Sequence, residues 1–133
     1  MSIFQNKLAL IIEDDHTSIK VMQQLLEQLT MESIVIADSY NLAEQIGDIP
    51  IPDVVFLDLE MPKSNGYSVL EQLQSDARFA NVPIVAYTTH ISHLNDARSA
   101  GFHSFLGKPV DGDLFPQYMA DILSGIPVWE VPS

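Results

Sequence analysis

Short apolar runs along the chain alternate with stretches in which apolar residues recur three and four positions apart. The first run, Leu8 to Ile12 (LALII), is almost wholly apolar and flanked by polar residues, as expected of a strand covered on both faces of a parallel sheet. Behind it, Ile19, Met22, Leu26 and Leu29 fall at helical spacing, with Lys20, Gln23, Gln24 and Glu27 between them. That segment lays one apolar stripe on the sheet, and Asp15 or Thr17 caps its start. The same alternation predicts strands over residues 34–37, 54–57, 82–87 and 103–106. Helices are predicted over residues 41–46, 67–75, 92–100 and 114–123, with Gly47 and Gly101 as stops. Pro116 is tolerated because it falls in the first turn of the last helix, which Asp111 or Asp113 caps.

Strands alternating with helices demand parallel pairing and right-handed crossovers, so the chain is read as α/β, a doubly wound three-layer (βα)5 sandwich. No Gly/Ser linker, repeat or low-complexity segment interrupts it, which leaves a single core. In such folds the ligand site lies beyond the carboxyl ends of the strands.

Composition narrows the function classes. The chain has 133 residues, no cysteine and a formal net charge of -12, which excludes a disulfide scaffold and argues against DNA binding through phosphate contacts. No apolar run approaches the ~20 residues that span a bilayer, and the start MSIFQNKLAL lacks the order of a signal peptide. A cytoplasmic setting without membrane contact is expected.

The residues just beyond the expected strand ends are all polar: Glu13, Asp14 and Asp15, then Asp58, Thr88 and Lys108. Carboxylates gathered at one edge repel unless a cation neutralises them, and a sparse acidic cluster suits Mg2+, which keeps waters and takes its remaining ligands from phosphate. Lys108 then offers a point charge to a phosphoryl oxygen, Thr88 a hydroxyl donor, and Asp58 a nucleophile able to form an acyl phosphate.

The motifs IIEDD, VVFLDLEMP, PIVAYTT and FLGKP, in this order and at about this spacing, resemble those of response-regulator receiver domains over nearly the whole chain. The resemblance implies a CheY-like, single-domain receiver of bacterial two-component signalling, with a flavodoxin-like parallel five-stranded sheet in the order 2-1-3-4-5. It implies that Asp58 is the phosphoacceptor, fed by a histidine kinase or histidine phosphotransfer protein. Glu13, Asp14, Asp58 and the backbone carbonyl of Glu60 would serve Mg2+. Thr88 and Phe105 would be the switch pair, and Lys108 the conserved base beside a Lys108-Pro109 bond that is often cis. Such a domain is a signalling switch with slow autodephosphorylation rather than an enzyme. It presents the face of its fourth helix, fifth strand and fifth helix to a downstream effector, as a monomer or a phosphorylation-dependent homodimer. The receiver is expected over residues 1–124 and an apolar tail over 125–133, with no output domain.

Two departures from the commonest receiver pattern are Glu60, two residues after the phosphoacceptor, and His90, two after Thr88. Both bracket the route of an attacking water and are candidates for tuning the acyl-phosphate lifetime. His90 and His93 lie one helical turn apart and could chelate a metal, but without a third ligand they read as a solvated helix start. His16, after the acidic run, faces solvent or touches a phosphoryl donor. A nucleophilic aspartate followed two residues later by an acid also resembles phosphatases of the haloacid dehalogenase type, which usually carry Asp at that place and need a larger body. A degenerate receiver that acts without phosphorylation is the remaining alternative. The tail GIPVWEVPS, with two prolines and the only tryptophan, packs back on the domain or contacts another chain.

Overall fold

The strand β1 (Leu8–Ile12) pairs in parallel with β2 (Glu32–Ile36) on one side and with β3 (Val54–Leu57) on the other. The structure, a computed structural model, describes residues 2–61 and 64–131. Beyond β3 the sheet continues in parallel through β4 (Ile84–Thr88) and β5 (Ser104–Gly107). The helices between them are α1 (His16–Gln28), α2 (Leu42–Gly47), α3 (Gly66–Gln74), α4 (Leu94–Ala100) and α5 (Phe115–Leu123). The first five strands thus stand in the expected order, and a sixth, β6 (Trp129–Glu130), extends the sheet beyond β5.

The period of two along each strand sorts the core into two layers. Leu10, Ile12, Val55 and Leu57 pack toward Leu42 and Ile46 of α2, Val69, Leu70 and Leu73 of α3, and Ala97 of α4. Ala9, Ile11, Val54 and Phe56 pack on the opposite face toward Met22 and Leu26 of α1 and Phe115, Met119 and Ile122 of α5. With both faces covered, these strands read as continuous apolar runs, which is why the sequence located them well. Among the described residues no helix is long and apolar enough to cross a membrane.

Several boundaries differ from expectation. The second strand begins at Glu32 rather than at residue 34, because at the sheet edge the Glu32 amide bonds the Lys7 carbonyl while its side chain stays in water. The fourth begins two residues later than expected and takes in Thr88, which pairs with Gly107. Residues Ile91–His93 form a 3-10 turn, so α4 starts at Leu94, and it ends at Gly101 with φ 101°. Asp15 is the cap of α1, its carboxylate accepting from the Ser18 amide at 2.8 Å. Neither Asp111 nor Asp113 caps α5: Asp111 closes the preceding turn by accepting from the Asp113 amide, and Leu114 is the cap residue.

After β3 a two-residue antiparallel ladder joins Glu60–Met61 to Ser64–Asn65, and Asn65 caps α3 by accepting from the Tyr67 amide at 2.8 Å. The helix starts at Gly66 because nothing larger fits. A Cβ there would lie 2.8 Å from Leu59 Cδ2, 2.9 Å from Leu59 Cα and 3.2 Å from the Asp58 carbonyl oxygen. The start of α3 therefore clamps the backbone that carries Asp58. Gly66→Ala is expected to cost about 1–3 kcal/mol as backbone shifts relieve the overlap, read as a lowered urea midpoint, and an unchanged midpoint would contradict the clamp.

Candidate functional site

Adjacent strand ends bring the acidic residues together. The Glu13 amide bonds the Ile36 carbonyl at 3.1 Å, continuing the ladder one residue past β1, and the Asp58 amide bonds the Ile12 carbonyl at 3.0 Å, one residue past β3. Oxygens of Glu13, Asp14 and Asp58 then lie within 4.8 Å of one another. Glu13 and Asp58 are buried, at 1% and 5% exposure, and Asp14 is half-buried. Asp15, although next in sequence, stands apart as the helix cap, and His16 is exposed in the first turn of α1. The Ser18 amide that Asp15 caps also holds its carboxyl below the usual range.

Lys108 closes the cluster from β5. Its amide bonds the Thr88 carbonyl at 2.8 Å, fixing the two strand ends together. Its ammonium donates to Glu13 Oε1 and, at 3.1 Å, to Ser18 Oγ, and lies 4.0 Å from Asp58 Oδ1. The same ammonium sits 4.7 Å from the centre of the Tyr87 ring, so its stem crosses an aromatic surface while its head faces the carboxylates. Burial, then the charges of Glu13 and Asp58, push the Tyr87 phenol up to about 12 and keep it neutral. The Lys108-Pro109 bond is cis, as the resemblance implied.

One acceptor is left over. Glu13 Oε2 is buried without a hydrogen-bond partner, which is costly for a carboxylate oxygen. Three converging carboxylates with an idle buried oxygen fit a hard divalent cation, and the residues present suit one.

Thr88 is fully buried at the end of β4, and its Oγ accepts from the His90 amide at 3.2 Å. Phe105, in the middle of β5, is also fully buried, in the layer shared with α4. Across the mouth of the site, Glu60 and His90 approach each other at 4.0 Å, but the closer partner is His93, whose Nε2 lies 2.9 Å from Glu60 Oε1. The Tyr67 hydroxyl lies 3.2 Å from His93 Nδ1. A phenol donating to Nδ1 leaves the Nε2–H to donate to Glu60. Sequence reading set His93 aside as solvated and gave no role to Tyr67 or Ser18. The Glu60 contact spans 33 residues and the Ser18 contact 90, so no local pattern carried them.

Glu13 makes the site sensitive to pH. Burial first, and then the neighbouring Asp58, push its carboxyl up from 4.5 to about 8, against the opposing pull of Lys108. Between these values the folded protein keeps a proton that the unfolded chain has lost, so stability falls as pH rises through the window. A cation that displaces this proton reverses the trend. In chelator, the denaturation midpoint is expected to fall from pH 5 toward pH 8 more steeply than in Glu13→Gln, and millimolar Mg2+ to flatten the fall. Parallel curves for the two proteins would refute this account.

Comparison with known proteins bears on the family and the fold. The family model "Response regulator receiver domain" matches residues 9–119. Protein PilH of Pseudomonas aeruginosa is 28% identical over 87% of the chain and 97% of its own length. The sensor histidine kinase CheAY of Helicobacter pylori is 26% identical over 80% of the chain, which spans only 14% of that larger protein. The receiver domain of the sensor histidine kinase PA1611 of Pseudomonas aeruginosa, solved with a magnesium ion coordinated in its active-site cleft, superposes with a TM-score of 0.76. It is 22% identical, with 90% of this chain and 98% of that one covered, and so attests the fold. A family match across most of the chain, on the strand ends that gather Glu13, Asp58, Thr88 and Lys108, means that the chain belongs to the response regulator receiver domain family.

Proposed function

We propose that the protein is a stand-alone phosphorylation switch in which Asp58 takes a phosphoryl group from a histidine kinase or histidine phosphotransfer protein. The observation that carries this reading is the buried Asp58 carboxylate facing the Lys108 ammonium, beside a Glu13 oxygen that lacks any partner. An Asp58 oxygen attacks phosphorus, the bond from phosphorus to the donor's imidazole nitrogen breaks with its electron pair passing to that nitrogen, and the imidazole, protonated beforehand on its other ring nitrogen, leaves neutral. Mg2+ would be held by Glu13, Asp14, Asp58 and the Glu60 carbonyl, and supplies charge neutralisation for the phosphoryl oxygens. Lys108 swings from Glu13 onto a phosphoryl oxygen, and the Thr88 hydroxyl gives up the His90 amide to donate to another. Phe105 turns toward the space Thr88 leaves, and the face of α4, β5 and α5 changes shape for a partner that binds the two states differently.

The chain aligns with 97% of the length of PilH, and its net charge of -12 favours a protein partner over DNA. A phosphatase of the haloacid dehalogenase type is not favoured, since the family match covers most of the chain. Incubation with Mg2+ and acetyl phosphate is expected to add the mass of one phosphoryl group, lost in Asp58→Asn. No gain would favour a degenerate receiver that binds without phosphorylation.

Glu60, His90 and His93 form a polar gate over the site that slows the hydrolytic water. His93→Ala and Glu60→Asn are each expected to shorten the acyl-phosphate lifetime by about threefold to tenfold, the size of one lost charge-assisted hydrogen bond at ~1 kcal/mol. His90→Ala, at the longer separation, is expected to do less. Phosphate release from the purified phosphoprotein measures this, and equal lifetimes in all three variants would remove the gate.

A further inference from the structure

The face of α4, β5 and α5 is not bare. After α5 the chain turns back at Gly125, with φ 87°, and lays β6 in parallel on the edge of β5 away from β4. The strand residue opposite Trp129 is Phe105 itself. The Phe105 amide donates to the Val128 carbonyl at 2.8 Å, and the Val128 amide donates to the buried Ser104 hydroxyl at 3.0 Å. Trp129 packs on the core layer that holds Phe105, Phe102 and Ala97, and the Arg98 guanidinium of α4 lies 4.6 Å from the centre of its ring. One side chain therefore lies beside both α4 and β5, and the strand that bears Phe105 supplies the bonds that hold it.

We propose that Trp129 and its strand are a phosphorylation-released cover on the signalling face. This rests on Asp58 as phosphoacceptor. The cover is attached by a two-residue ladder, one buried valine whose amide bonds the Ser104 hydroxyl, and one cation–ring contact, which places its opening at the low end of the molecule's local stabilities. Phe105 has no exposed surface while Trp129 lies against its layer. Movement of Phe105 toward Thr88 takes away part of the surface on which Trp129 rests and shifts the amide that Val128 accepts. The docked strand thus favours the resting arrangement, and by reciprocity a docked strand opposes phosphorylation. Release uncovers a strand edge and an aromatic slot beside Arg98, the shape that an extended partner segment with an aromatic residue would fill by strand addition.

Trp129 is the only tryptophan of these 133 residues, so its fluorescence reports the cover in the unaltered chain. With Mg2+ and acetyl phosphate, its emission is expected to shift to the red in proportion to the phosphorylated fraction read by intact mass, and to stay fixed in Asp58→Asn. Arg98→Ala is expected to start from a redder emission. Arg98→Ala and Trp129→Ala are both expected to bind the phosphoryl mimic beryllium fluoride several-fold more tightly by calorimetry. A mass gain with unchanged or blue-shifted emission, or unaltered beryllium fluoride affinity in both variants, overturns the cover and leaves Asp58 as phosphoacceptor. No mass gain overturns both.

Discussion

Everything at the functional end of this molecule depends on how three carboxyl groups are made tolerable at one rim of a sheet. Glu13 and Asp58 are buried there by the same ladder that builds the core, and each would be expensive without compensation. The Lys108 ammonium is the only cation among the described residues within 4 Å of these two carboxylates, and it leans mainly on Glu13. The balance is deliberately incomplete: one Glu13 oxygen has no partner and its carboxyl is pushed up toward neutrality. An apolar substitute would remove the burial cost but could not exchange a proton for a cation, or a lysine contact for a phosphoryl one.

That rim holds its geometry because the fold gives it few ways to relax. Tyr87 lies under Lys108, Thr88 is tied to the His90 amide, and the start of α3 is pressed against the backbone of Asp58 through Gly66.

The fold was legible where burial on both faces turned strands into unbroken apolar runs, as in β1 and β3, and blurred where it did not. The edge position of β2 admits Glu32, and the 3-10 turn at Ile91–His93 shortens a helix whose polar start looked regular. Asp58, Glu13, Asp14, Thr88 and Lys108 were readable because a parallel sheet fixes where its strand ends go. His93, Tyr67 and Ser18 were not, because their roles lie in contacts between distant segments. The sixth strand was hidden for a related reason: two residues between prolines carry no periodicity, and only the free edge of β5 gives them a place to pair.

The pairing of β6 with β5 also makes the tail a mechanical line. Tension applied beyond residue 131 would be carried through the ladder at Trp129 and Glu130 onto Phe105 and Leu106, before any part of the remaining sheet bears load. A cargo fused at that end would tug on the strand that carries Phe105. One fused ahead of residue 2 would pull on a stretch of chain that leads to β1, on the far side of β3 and β4 from that strand. The two ends of this small domain are thus unequal handles, and only one of them is paired to the strand that carries Phe105.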